Sequence, residues 1–282
     1  MTASRVVIIG QPTEDMPHSA SVSKSQTTLA ESSSAKCAAQ HLAEMMRTGS
    51  CPNDRSFDRF LPEPLRLGSP EYWTPLAVAK RAADWLEDLG IRTVVDIGSG
   101  AGKFCVAGAL FGSCQFVGLE QYSSLVTSAV ELADLFDLHD RVSFVAGALG
   151  AVPTPVGDAY YFFNPFGDYW LGADYLPEAG AGVTLARYAD DVAAAEDLLR
   201  RVPAGTWILT YNGFGGRMPA SYELVRVDGK LPGVLRLWRN GRNAARIGIQ
   251  GTMRVQSRGQ LALASRPPAR DHGRGRAHVS NK

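Results

Sequence analysis

The sequence predicts an α/β protein with a doubly wound, mostly parallel sheet, on three observations. A short buried-strand run (Val94, Val95, Ile97) meets glycines at every second position, Gly98, Gly100 and Gly102, and an apolar stretch of helical length, Phe104 to Phe111, follows. Strand-like runs then alternate with helical patterns, the order of βαβ units. Asp158 to Phe163 (Asp-Ala-Tyr-Tyr-Phe-Phe) is almost wholly apolar, as a central strand covered on both faces must be.

The chain has 282 residues, enough for one or two domains, with an ordinary 45% hydrophobic content and a net charge of +1. That balance argues against a polyanionic partner for the whole chain. Residues 1–54 read as a Ser- and Ala-rich extension, largely disordered or loosely packed. Ser19 to Ser34 has almost no large apolar side chain to offset ordering, and Ala35 to Arg47 suits a short helix with at most loose packing. Residues 55–240 are the folded domain. Residues 241–282 are a basic tail, and from Gly229 onward twelve Lys and Arg face the single acid Asp271. Such a tail either docks on nucleic acid or anionic surfaces, or stays solvated. Four cysteines without metal-ligand spacing, and an opening that does not read as a signal peptide, predict a cytoplasmic protein with free thiols. The Val6-Val7-Ile8-Ile9 run is too short for a membrane span.

Arg55 to Pro70 alternates bulky apolar residues with prolines and predicts an extended cover over a pocket. A helix follows, with Thr74 as N-cap, Pro75 at the first position and Gly90 beyond its end; Leu76, Ala79, Ala83, Leu86 and Leu89 share one face. Strand one (Thr93 to Ile97), helix A (Lys103 to Leu110), strand two (Phe116 to Leu119) and a helix over Ser123 to Phe136 come next. Strand three is Arg141 to Ala146 and strand four ends at Phe163. A helix over Asp190 to Arg201 has acids at its start and arginines at its end, both favourable to the dipole. Strand five is Thr206 to Tyr211, and Tyr222–Val227 with Val234–Trp238 predicts an antiparallel hairpin.

The glycine turn narrows the ligand. A phosphate P-loop needs Gly-x4-Gly-Lys-Ser/Thr, but Ile97 stands at the first glycine and Phe104 at the hydroxyl. The dinucleotide fingerprint G-x-G-x-x-G fits Gly98 and Gly100, but Lys103 holds the third glycine's place. What remains is acid-x-Gly-x-Gly-x-Gly, with Asp96 as the acid. Glu120 lies 24 positions after Asp96, at the tip of strand two, where a carboxylate can accept hydrogen bonds from the hydroxyls of a ribose; alternatively it caps the helix at Ser123. Asn164-Pro165-Phe166 ends strand four, next to strand one in such a sheet. There an amide oxygen can accept from an incoming amine, or Asn164 can simply bond its own turn.

Over Tyr72 to Trp238 this pattern resembles the class I S-adenosyl-L-methionine (SAM)-dependent methyltransferases, nearest to bacterial members. Asn164-Pro165-Phe166 is similar to the Asn/Asp-Pro-Pro-aromatic motif of amino-methyltransferases, lacking its second proline, and faintly to the non-SET lysine methyltransferases. The resemblance implies a mostly parallel seven-stranded sheet with an antiparallel terminal strand. It implies SAM held by Asp96, Gly98, Ser99, Gly100, Gly102, Lys103, Glu120, Gln121, Ala148 and Asn164, and methyl transfer at Asn164, Pro165 and Phe166. The acceptor would meet Trp73, Phe166 and Tyr211. The turn Gly147-Ala148-Leu149 lacks the acid that many members direct at adenine. Trp73 reads equally as a wall beside the cofactor or as core. Tyr160, Tyr161, Asp168 and Tyr211 are candidate helpers, and Tyr211 to Gly216 a mobile lip. The expected chemistry is transfer to an acceptor nitrogen of a protein side chain or small molecule, more than nucleic acid, with no metal and no membrane. The alternatives are a non-catalytic SAM-binding module with a nucleic-acid-docking tail, and a metabolite O-methyltransferase.

Overall fold

A computed structural model describes residues 24–166 and 184–241, with side chains from Ser33 onward. Fourteen elements follow one another. They are α1 (Lys24–Arg47), α2 (Asp54–Asp58), α3 (Glu63–Tyr72), α4 (Leu76–Asp88), β1 (Thr93–Ile97), α5 (Lys103–Phe111), β2 (Gln115–Glu120), α6 (Ser123–Leu135), β3 (Val142–Ala146), β4 (Ala159–Phe163), α7 (Leu185–Arg201), β5 (Trp207–Tyr211), β6 (Tyr222–Asp228) and β7 (Leu235–Asn240).

The strands form one seven-stranded sheet in the order β3-β2-β1-β4-β5-β7-β6. β1 to β5 pair in parallel, while β7 runs against both β5 and β6. The α/β class and the antiparallel closing hairpin are therefore as the sequence predicts. β1 and β4 are apolar and buried because helices cover both faces. On one face α1, α4, α5 and α6 share a core that includes Met46, Leu86, Leu110, Phe116 and Leu132. On the other, α7 packs Ala195, Leu198 and Leu199 against Val95, Ile97, Phe162 and Ile208.

Four expectations about elements are corrected. Residues 35–47 do not pack loosely: Ala39, Leu42, Ala43 and Met46, at helical spacing, are buried in the main core. They belong to a helix that begins at Lys24, inside the stretch expected to lack order. The extended cover over 55–70 is instead the helices α2 and α3. Pro62 is the N-cap of α3 and Pro64 lies in its first turn, where a missing N–H costs nothing, while Pro70 falls in the last turn. Thr74 does not cap α4. Its hydroxyl meets the Tyr161 hydroxyl at 2.9 Å, and the Leu76 amide donates instead to Asp54 Oδ1 at 2.9 Å. Finally, α7 starts at Leu185, five residues before Asp190, because Thr184 caps it by accepting from the Arg187 amide at 3.2 Å. The expected tail beyond residue 241, and Asp168, lie outside the described residues.

Candidate functional site

The site lies at the switch point of the sheet, where β1 and β4 are neighbours and the chain leaves them in opposite directions. Beyond Ile97 the backbone turns through Gly98, Gly100 and Gly102, at φ +73°, +54° and +76°, a left-handed conformation at three alternate positions. The amides of Gly98 and Ser99 donate to the Leu119 carbonyl at 2.9 and 3.1 Å, which fastens the turn to the end of β2. Side chains also crowd the turn. A Cβ on Gly98 would stand 2.7 Å from Pro165, on Gly100 2.3 Å from the Trp73 ring, and on Gly102 2.7 Å from the Phe144 ring.

Glu120 ends β2 and is buried. One carboxylate oxygen accepts from the Gly100 amide at 2.8 Å and the other from the Tyr122 amide at 2.9 Å. Tyr122 is the N-cap residue of α6, so the helix-end role and the position beside the glycine turn are combined in one side chain. Asp96, near the end of β1, is buried beneath the turn and accepts from Cys105 Sγ at 3.4 Å. Removal from water pushes its acid up to about 7; the Cys105 bond opposes that shift and the neighbouring Glu120 charge adds to it.

Two clefts open on either side of Gly98, which lines both. The first is bounded by Ile97, Leu119, Glu120, Gln121, Gly147, Ala148, Leu149, Pro165, Phe166 and Asp191. The second is bounded by Tyr72, Trp73, Thr74, Asp96, Ser99, Lys103, Phe104, Tyr161 and Phe163. Asp96, Ser99, Lys103 and Trp73 thus meet at one cleft, and Glu120, Gln121, Ala148, Pro165 and Phe166 at the other. The Ser99 hydroxyl is buried without a hydrogen-bond partner.

Several predicted site residues sit differently from the expectation. The Lys103 ammonium turns toward α2 and α3, donating to Asp54 Oδ1 at 2.7 Å and Ser69 Oγ at 3.0 Å and forming an ion pair with Asp58 Oδ1 at 2.7 Å. Asn164 is exposed at φ +40°, its amide donates to the Gly213 carbonyl at 3.2 Å, and it lines neither cleft. That is the conformation of a turn asparagine. Tyr211 is buried, its ring tilted against Phe163 at 4.7 Å between centroids, and also lines neither cleft. Burial pushes its phenol up. The lip expected over 211–216 is packed down instead. Phe214 is buried against Phe162, and a Cβ on Gly215 would strike the Tyr188 hydroxyl. Tyr160 donates to the Pro155 carbonyl at 3.2 Å and lines neither cleft.

Sequence reasoning missed Asp54 and Asp58, which hold Lys103, Asp191, which lines the first cleft, and Arg187, which bonds Gln121 at that cleft. The Arg187 guanidinium donates to Gln121 Oε1 and approaches Asp191 at 3.9 Å. A lysine buried in the first turn of an apolar helix demands an anion, yet nothing in the local pattern identifies residues about 50 positions earlier as its source. Arg187 was hidden by the late start assigned to α7.

No family model and no curated protein matches the sequence. A search of solved structures finds many matches. One is an RNA methyltransferase from Salinibacter ruber in complex with S-adenosyl-L-homocysteine, 18% identical, covering 62% of this chain and 95% of its own, with TM-score 0.42. Another is an O-methyltransferase from Bacillus cereus in complex with SAH, 13% identical, covering 71% and 97%, with TM-score 0.45. A third is the [4+2]-cyclase SpnF, 17% identical, covering 54% and 61%, with TM-score 0.37. The fold assignment rests on the strand order itself.

Proposed function

We propose that this protein binds SAM across the two clefts and transfers its methyl group to an acceptor nitrogen. The observation that carries the reading is the pairing of Glu120 with the glycine turn at the carboxyl ends of β2 and β1, the place where open α/β sheets take their ligands. The first cleft suits an adenosine: Glu120 stands at its wall for ribose hydroxyls, and Ala148, Leu149 and Phe166 offer apolar surface for a base. The second suits the methionyl end, with Asp96 and the unpartnered Ser99 hydroxyl among its polar groups. Gly98 is the wall the two clefts share, and Pro165 packs directly on it.

SAM, when bound, supplies an electrophilic methyl on a positively charged sulfur. This chain then has to orient the acceptor, which is the larger part of such catalysis, up to roughly 7–11 kcal/mol. Of the residues that follow β4, Pro165 and Phe166 border the first cleft and are the ones placed to flank an acceptor.

The test is calorimetry of SAM binding to Glu120 variants. Glu120→Ala is expected to weaken SAM by about 1.5–3 kcal/mol, and Glu120→Gln, which keeps an acceptor for the Gly100 amide, by less. Unchanged affinity in Glu120→Ala would remove the assignment. A second reading, a domain that holds SAM without turnover, is favoured by one observation: Trp73 and Pro165 lie directly on Gly100 and Gly98. Transfer of labelled methyl to fractionated protein, nucleic acid and metabolites separates the two readings.

A further inference from the structure

We propose that β6, the outermost strand of the sheet, is an interface with a second copy of this chain. The two β6 strands pair antiparallel about a two-fold axis that passes between Leu224 and Val225. No residue of β6 lines either cleft, and the proposal does not depend on the SAM reading.

Among the described residues β6 pairs with β7 alone, and residues 223–228 make no backbone hydrogen bond outside that ladder. Such an edge offers a row of N–H and C=O groups to another strand. Its side chains are apolar where an edge meets water: Leu224, Val225 and Val227 are 43%, 44% and 53% exposed.

A bulge makes this strand complementary to itself. The register with β7 runs Glu223 to Arg239 and Leu224 to Trp238, then resumes at Arg226 to Leu237, so Val225 is one residue extra. In an unbroken strand Glu223 and Arg226, three positions apart, would lie on opposite faces. The extra residue puts both on the face turned to α4, where Arg226 Nη1 donates to Asp88 Oδ2 at 2.8 Å. Tyr222, Leu224 and Val227 fall on the face turned to α7, where the Tyr222 hydroxyl donates to the Leu199 carbonyl at 2.9 Å.

The chemistry along β6 then reads alike from both ends: apolar, charged, two apolar, charged, apolar. In the proposed pair Glu223 stands opposite the partner's Arg226, Leu224 opposite the partner's Val225, and Tyr222 opposite the partner's Val227. Every pair shares one face, and the two-fold axis repeats each of them, as an isologous interface requires. The extra residue of one copy is matched in the other. A register centred on Val225 itself fails, because it sets Leu224 against the partner's Arg226, on the opposite face. Glu223 is exposed and joins no ion pair among the described residues, while Arg239 beside it lies over the Trp207 ring at 5.3 Å. Its charge therefore awaits a cation from outside the sheet.

The experiment is sedimentation velocity of the full chain across about 1–100 μM, the span in which a small interface assembles. The wild type is expected to pass from monomer toward dimer as concentration rises. Glu223→Arg and Arg226→Glu each oppose like charges at both ion pairs, and each should raise the dissociation constant about tenfold or more. Mixed in equal amounts, the two variants bear opposite charges at both positions and should dimerise with one another at wild-type strength. Val225→Lys, on the exposed bulge, should dissociate the pair while leaving the charges in place. Circular dichroism shows which variants fold; should Arg226→Glu unfold through the loss of its Asp88 contact, Glu223→Arg and Val225→Lys still decide the matter. A wild type that stays monomeric throughout, a dimer undisturbed by those two variants, or a mixture of folded charge variants that remains monomeric overturns the interface.

Discussion

Gly102 and Gly90 share a left-handed backbone, at φ +76° and +64°, but not the same surroundings. A Cβ at Gly90 meets open space, whereas at Gly102 it meets the Phe144 ring at 2.7 Å and Ala129 at 2.8 Å. Gly90→Ala should therefore cost only the conformational penalty, about 1–2 kcal/mol. Gly102→Ala should cost a further ~1–3 kcal/mol for overpacking. Urea denaturation of both variants measures the difference, and equal losses would mean that the glycine turn relaxes freely. Asp96 gives a pH-dependent test at the same scale. Its acid stands at about 7 in the folded protein against 3.8 for an ordinary aspartic acid, because it is out of water. Between those values the folded state binds the proton that the unfolded state lacks, so this residue's contribution to stability falls as pH rises through that window. Asp96→Asn, neutral throughout, should gain most melting temperature over the wild type at pH 8, less at pH 5, and little below 3.8. A gain independent of pH would show that Asp96 is not the group responsible.

Among the elements, the Lys103 cluster is the sharpest departure from what sequence reading can reach. The strand, glycine turn and helix over residues 93–111 were legible because period, glycine spacing and apolar length all act within one short window. The helices α2 and α3 were not, since prolines at Pro62, Pro64 and Pro70 read as breakers unless their places within the turns are known. The partnership of Lys103 with Asp54 and Asp58 is a matter of tertiary distance, which no local pattern encodes. It carries a testable cost. Lys103→Met should destabilise the fold by about 3–5 kcal/mol, because Asp58, with a side chain only 7% exposed, would keep a buried charge without its cation. Adding Asp58→Leu should restore much of that loss. Chemical denaturation of the single and double variants reads it directly, and a double variant no more stable than the single would refute the pairing.

At the scale of the whole molecule, the sheet order and its reversed β7 follow from alternating strand and helix signals that the sequence displays openly. The site was legible in outline: the glycine turn, Asp96 and Glu120 come together as expected. Asn164 and Tyr211 do not join them, because a left-handed turn and a buried ring contact are conformations rather than compositions. The N-terminal helix was misjudged for a similar reason. Small residues such as Ala39 and Ala43 look indifferent in sequence, yet they let α1 approach closely, and Met46 is fully buried behind them. Met46→Ala should therefore cost about 2–5 kcal/mol in a denaturant titration, as deletion of a core side chain does. A loss below about 0.5 kcal/mol, the scale of a surface change, would return α1 to the periphery.

One carboxylate oxygen has consequences beyond its own helix. Oδ1 of Asp54 receives both the Lys103 ammonium, at 2.7 Å, and the first amide of α4, at 2.9 Å. Swinging α2 outward would strand both donors together, so Asp54 ties α2 to the first turns of α4 and α5. The connection between α3 and α4 carries Trp73 and Thr74 on the cleft beside Asp96, so the same oxygen that anchors the helices also fixes that wall.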